Sequence, residues 1–104
     1  MLTRKSLNNK ISDFLAQMPS YGFLPEKVIL FGSYAKGNVH EQSDVDLAVW
    51  AKGFTGNPLI DTPLLAHLLH IYHPIELHTF PSGATLDDFY FIAEITSTGK
   101  EIKL

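Results

Sequence analysis

Apolar residues along this chain keep two rhythms, one of helices and one of strands. Leu7, Ile11, Phe14, Leu15 and Met18 recur at i, i+4, i+7, i+8 and i+11, with Lys5, Asn9, Lys10 and Asp13 between them. That spacing predicts an amphipathic helix over residues 4–18. It ends near Pro19, and PSYGFLPEK reads as a connecting loop. The run EKVILF, residues 26–31, predicts a strand closed by Gly32. Residues 33–36 can open a short helix, and 37–42 form a polar loop. Strand alternation returns over 43–51: Val45, Leu47 and Val49 make one face, plainly core, and Asp44, Asp46, Ala48 and Trp50 the other. After the turn-rich GFTGNP, Leu59, Leu64, Leu65, Leu68, Leu69 and Tyr72 predict a buried helix over 58–72, stopped by Pro74. A third strand follows over 75–80, with Ile75, Leu77 and Thr79 alternating against Glu76, His78 and Phe80. Phe89, Ile92, Ala93 and Ile95 mark a last helix ended at Gly99, and GKEIKL trails off as an edge strand.

The order of helix, strand, short helix, strand, helix, strand, helix predicts an α/β (α+β) fold with a small mixed β-sheet flanked by helices. With 104 residues and no long linker, residues 1–104 read as a single domain, which buries roughly two-thirds of the surface its unfolded chain exposes. No cysteine is present, which excludes a disulfide framework, a thiol nucleophile and a cysteine zinc site. The net charge is −3 and the eight basic residues are scattered, which counts against long nucleic acid as a partner. No segment has the roughly 20 apolar residues of a membrane span, and MLTRKSLNNK lacks a signal-peptide hydrophobic run, so the expected location is cytoplasmic with no membrane partner.

Asp44 and Asp46 disturb this picture, because a carboxylate lodged in an apolar strand costs several kcal/mol, in order of magnitude, unless something neutralises it. Residues two apart in a strand point the same way about 7 Å apart, so the two carboxylates share a face. Basic partners, protonation, exposure at a strand end or a divalent cation would each relieve them. Hard oxygen ligands suit magnesium, which favours one or two carboxylates plus substrate phosphates. Gly32 and Ser33 directly follow a strand and open a helix, where free backbone N–H groups favour phosphate oxygens. The serine hydroxyl adds a donor, and Lys36, one turn on, can reach a terminal phosphate as a point charge. Taken singly, Gly-Ser after a strand is more often a plain turn, and Asp-x-Asp a solvated strand end. Together at this spacing they are far more specific.

Gly32-Ser33, ten residues, then Asp44-Val45-Asp46, all after VILF, resembles the signature of the DNA polymerase β nucleotidyltransferase superfamily. The short length and the phrase SDVDL resemble its minimal nucleotidyltransferase (MNT) branch, and the resemblance covers roughly residues 10–104. It implies that a third carboxylate from a later strand completes a site for two Mg2+ ions, a place that Glu76 in PIELHTF fits. It further implies that Asp44, Asp46 and Glu76 are catalytic and hold the metals, while Gly32, Ser33 and Lys36 bind the nucleotide. Many relatives carry arginine where Lys36 stands, and lysine keeps the charge but loses the bidentate fork. The activity implied is nucleotidyl transfer with ATP as donor and pyrophosphate as leaving group.

Larger relatives append domains for their acceptors, and this chain has almost no residues left over for one. MNT proteins of this size are often antitoxins encoded beside a HEPN-type ribonuclease toxin, and some transfer AMP to a toxin tyrosine. The resemblance therefore implies an antitoxin that adenylylates a HEPN-type toxin protein. Its rivals are transfer to a small molecule or an RNA end, and a non-catalytic antitoxin that blocks its partner by contact. Of the other polar and aromatic residues, His67, His70 and His73 recur every three residues with His78 beyond, but three-residue steps drift around a helix and do not converge on a zinc ion. Trp50 is read as packing against a helix, and Tyr34, beside Gly32 and Ser33, as a minor candidate for stacking on a base.

Overall fold

A computed structural model describes residues 2–40 and 43–104. The first helix, α1 (Arg4–Gln17), is capped by Thr3, whose hydroxyl accepts the backbone N–H of Ser6 at 3.1 Å. It buries Leu7, Ile11 and Phe14, the residues its periodicity selects, and a 3₁₀ turn over Met18–Tyr21 continues it past Pro19. The strand β1 (Pro25–Phe31) runs into a single helical turn, α2 (Ser33–Lys36), and β2 (Val45–Ala51) follows. The polar loop expected over 37–42 runs into residues 41 and 42, which lie outside the described residues. The chain then forms α3 (Pro58–Asp61), a 3₁₀ turn (Thr62–Leu65) and α4 (Ala66–Ile71), before β3 (Ile75–Pro81), α5 (Phe91–Thr98) and β4 (Lys100–Ile102).

The four strands form a mixed sheet in the order β3-β2-β1-β4, with β1 antiparallel to both β2 and β4 and β2 parallel to β3. A parallel neighbour requires a crossover, and α3 and α4 supply it. Val28, Leu30, Leu47 and Val49 pack with Leu7, Ile11 and Phe14 of α1 and Leu65 and Leu68 of the crossover. The opposite face buries Ile29, Phe31, Ala48, Trp50 and Phe80 under Ile92 and Ile95 of α5. Because β1 and β2 are covered on both sides, VILF reads as a continuous apolar run and not as an alternation.

Two sequence expectations give way here. The single helix over 58–72 is broken, because Pro63 has no N–H for the carbonyl four residues back and its ring crowds that turn. The break rotates the apolar residues out of one stripe. Leu65 and Leu68 are buried, while Leu59 is 84% and Leu64 55% exposed. The second change concerns Asp44, which lies one residue before β2 and is exposed, so the strand alternation begins only at Val45.

Candidate active site

Sheet register assembles the site. Asp46 of β2 stands beside Glu76 of the parallel neighbour β3, and beside Phe31 at the end of antiparallel β1. Along this face Trp50 and Phe80 lie at the far end, Ala48 and His78 come next, and Asp46 and Glu76 close the row. Ile92 and Ile95 of α5 pack with Phe31, Ala48, Trp50 and Phe80. Asp46 is half-buried at the end of this face and Glu76 is exposed beside it.

Gly32 makes the close approach between β1 and Asp46 workable. Its backbone sits at φ 73°, ψ −151°, a conformation open to glycine, and a β-carbon there would collide with Asp46 Oδ2. Ser33, half-buried, begins α2 directly after it, and Lys36 ends that single turn, exposed and without an ion pair to the carboxylates among the described residues. One turn of helix carries little macrodipole, so any anion-binding power of this segment rests on individual N–H groups and side chains.

Asp46, Glu76 and His78 each offer one ligand atom, and these atoms lie within 4.8 Å of one another. His78 Nε2 lies 3.3 Å from Asp46 Oδ1 and 3.9 Å from Glu76 Oε1. Asp44 lies on the rim, close enough to act on the Glu76 carboxyl. The Glu76 carboxyl is held above the usual glutamate range. Partial burial is the first cause; the His78 imidazole opposes it, and the Asp44 hydrogen bond and the negative charges of Asp46 and Asp44 add to it. Crowded carboxylates of this kind suit a divalent cation, which supplies the neutralising charge they lack. A cleft of about 440 Å³ lined by Asp44, Leu69, His73, Glu76 and His78 opens beside them.

Of the residues singled out from sequence, Gly32, Asp44, Asp46 and Glu76 thus come together, Ser33 adjoins them through Gly32, and Lys36 stands apart. His78, set aside in the sequence with the helix histidines, lies within hydrogen-bonding reach of Asp46 and beside Glu76. Its signal was the two-residue step from Glu76, which in a strand means the same face. Among the described residues, His67, His70 and His73 form no such metal-ligating group. Trp50 is buried, donates from Nε1 to Ala84 O at 2.9 Å, lies against Phe80, and clusters with Ile92 and Ile95 of α5, the helix packing its reading expects. Tyr34 packs against the core and its hydroxyl accepts the N–H of Leu2 at 3.0 Å, a structural task.

Asp61 went unremarked in the sequence, although it is fully buried. Its carboxylate accepts five hydrogen bonds: two from Thr55 N, and one each from Thr55 Oγ1, Gly56 N and Thr79 Oγ1. Burial alone would raise its pKa, but the Thr79 hydroxyl and the Thr55 and Gly56 donors outweigh that and hold it below the usual aspartate value. It ties the 52–57 loop to β3.

A family model described as a nucleotidyltransferase domain matches residues 9–103. The Methanocaldococcus jannaschii protein named "Putative protein adenylyltransferase MJ1305" is 46% identical over 52 residues, 49% of this chain and 35% of that protein. The matched part thus spans about a third of that relative's length. A solved structure described as "Crystal structure of the toxin-antitoxin with AMP-PNP" superposes with a TM-score of 0.57 at 25% identity, covering 89% of this chain and 69% of the other.

Proposed function

The chain belongs to the nucleotidyltransferase domain family, and from that premise we propose that it works as a single minimal nucleotidyltransferase domain, an antitoxin that transfers AMP from ATP to a hydroxyl, a tyrosine, of a HEPN-type toxin. The observation that carries the reading is the register that sets Asp46 beside Glu76 with Gly32 turned against Asp46. Two likenesses point the same way: one relative is named as a protein adenylyltransferase, and one structural neighbour is a toxin-antitoxin assembly with an ATP analogue.

Asp46, Glu76 and Asp44 would hold Mg2+, two ions in the full site, and the metal would supply charge to neutralise the triphosphate and favour the ionised form of the acceptor hydroxyl. Gly32 lets the backbone approach the phosphates, Ser33 donates from N–H and hydroxyl, and Lys36 contributes charge from the end of α2. Glu76 orients the acceptor hydroxyl and takes its proton. The acceptor oxygen then bonds to the α-phosphorus as the bond to the β-phosphate bridging oxygen breaks, and pyrophosphate leaves. A protein acceptor suits the surroundings. A groove of about 290 Å³ shares His78 with the site and is lined by Pro58, Phe80, Phe89, Tyr90 and Phe91. Tyr90 is 88% exposed at its edge.

The test is transfer of label from α-³²P-ATP with Mg2+ to a short helical protein bearing an R-x₄₋₆-H motif, sought as the product of the adjacent gene. Label is expected on a tyrosine, and Asp46→Asn should lower the rate at least about 100-fold, the scale of a lost catalytic electrostatic group. No label on the partner, together with toxin neutralisation by Asp44→Ala/Asp46→Ala equal to wild type, overturns adenylyl transfer in favour of inhibition by contact. Label on a small molecule or an RNA end, and none on protein, overturns the choice of acceptor.

A further inference from the structure

The donor set facing the cleft is not made of oxygen alone. His78 Nε2 stands 3.3 Å from Asp46 Oδ1 and 3.9 Å from Glu76 Oε1. Ligands about 2.1 Å from one octahedral ion lie about 3.0 Å apart when adjacent and about 4.2 Å when opposite. The two separations lie between these values, near enough to each for small side-chain shifts to close them on one ion. The imidazole is held at this spot by packing: its ring meets Phe31 edge-on at 4.8 Å and lies 6.0 Å from Phe91. It is reachable from solvent, since His78 lines both the 440 Å³ cleft and the 290 Å³ groove. An all-oxygen site suits magnesium, whereas an imidazole ligand suits first-row transition ions.

We propose that His78 is a direct ligand, through Nε2, of the cation held by Asp46 and Glu76, and that it gives the site a preference for Mn2+ over Mg2+. The inference deepens the site reading above and rests on it for the two carboxylates, while the choice of acceptor does not enter. His78 adds a neutral donor, so the site gains a ligand without adding to the crowding of negative charge around Glu76. A magnesium ion keeps its waters reluctantly displaced and gains little from a nitrogen. A manganese ion gains a bond.

Mn2+ binding to the full chain, followed by the loss of the free-ion EPR signal and by Mg2+ competition, tests this without any activity assay. The wild type should bind Mn2+ at least about tenfold more tightly than Mg2+. His78→Gln should lose about tenfold in Mn2+ affinity and change Mg2+ affinity less than about threefold, on the scale of ligand-shell changes. Electron spin-echo modulation of bound Mn2+ should show a directly coordinated nitrogen in wild type and in His73→Gln, which alters the other histidine of the cleft, and none in His78→Gln. Absence of the nitrogen signal in wild type overturns the inference even if His78→Gln fails to fold. Its persistence in a folded His78→Gln, or unchanged Mn2+ affinity there, does the same. The two readings separate cleanly: a nitrogen-ligated ion without nucleotidyl transfer sinks the proposed function alone, and transfer with an all-oxygen ion sinks this inference alone.

Discussion

Gly32 shows how one residue can be fixed by two demands at once, a backbone angle that favours glycine and a space already filled by Asp46 Oδ2. Gly32→Ala should therefore cost about 1–3 kcal/mol in stability, read by urea unfolding, and also weaken divalent-cation binding as Asp46 is displaced. Asp61 carries a different load. Asp61→Ala strands Thr55 N, Gly56 N and Thr79 Oγ1 without their acceptor, and a loss of about 2–4 kcal/mol is expected in the same measurement. Asp61→Asn adds a pH signature. Since the folded protein holds the Asp61 carboxyl below its ordinary value of 3.8, its stabilisation is present above that pH and is lost as pH falls through the lower folded value. The stability gap between wild type and Asp61→Asn should stay constant above about pH 5 and shrink below about pH 4. Asp44 and Asp46 stood out in the sequence because charges beside an apolar strand run are an anomaly, whereas Glu76 was singled out only through the family resemblance. Asp61 did not stand out, because in PLIDTPLL an aspartate looks like any first-turn helix residue and its partners are spread over Thr55, Gly56 and Thr79.

At the scale of elements, periodicity succeeded where one face decides burial and failed where the chain bends. The α1 pattern is uninterrupted and Leu7, Ile11 and Phe14 are buried as it predicts. Over 58–72 the leucines look equivalent in sequence, but Pro63 divides the segment into a turn of α-helix, a 3₁₀ turn and α4, and only part of the apolar set still faces the sheet. The two halves should respond differently to mutation. Leu68→Ala is expected to cost about 2–4 kcal/mol by opening a cavity between α4 and the sheet, whereas Leu59→Ser should change stability by less than about 0.5 kcal/mol. Equal effects in chemical unfolding would mean that 58–72 packs as one continuous helix after all. On β2 the face shared by Ala48 and Trp50 is as deeply buried as its opposite, which alternation alone did not reveal because α5, its cover, lies more than forty residues further along.

The site is a property of the whole molecule, since none of its elements contains it. The sequence shows that Asp46 and Glu76 lie on strands, but their adjacency depends on β2 and β3 being parallel neighbours in a particular register, a long-range choice made by the α3 and α4 crossover and by packing on both faces. His78 enters the group for the same reason. A site shared among three strand ends would couple cation binding to folding, because the unfolded chain has no arrangement that gathers these donors. A ligand bound only by the folded state, at 100 times its dissociation constant, contributes about 2.7 kcal/mol. For a domain of about 100 residues each kcal/mol moves Tm by about 4–8 °C, so a saturating divalent cation should raise Tm by roughly 10 °C or more. A thermal melt with and without the cation checks this, with EDTA reversing the shift. Asp46→Asn, which removes the carboxylate that contacts β1, β3 and His78 alike, should abolish the shift while leaving the metal-free Tm within a few degrees of wild type. An equal rise in the variant would place the stabilising ion elsewhere on the protein, against the cation site proposed at Asp46 and Glu76.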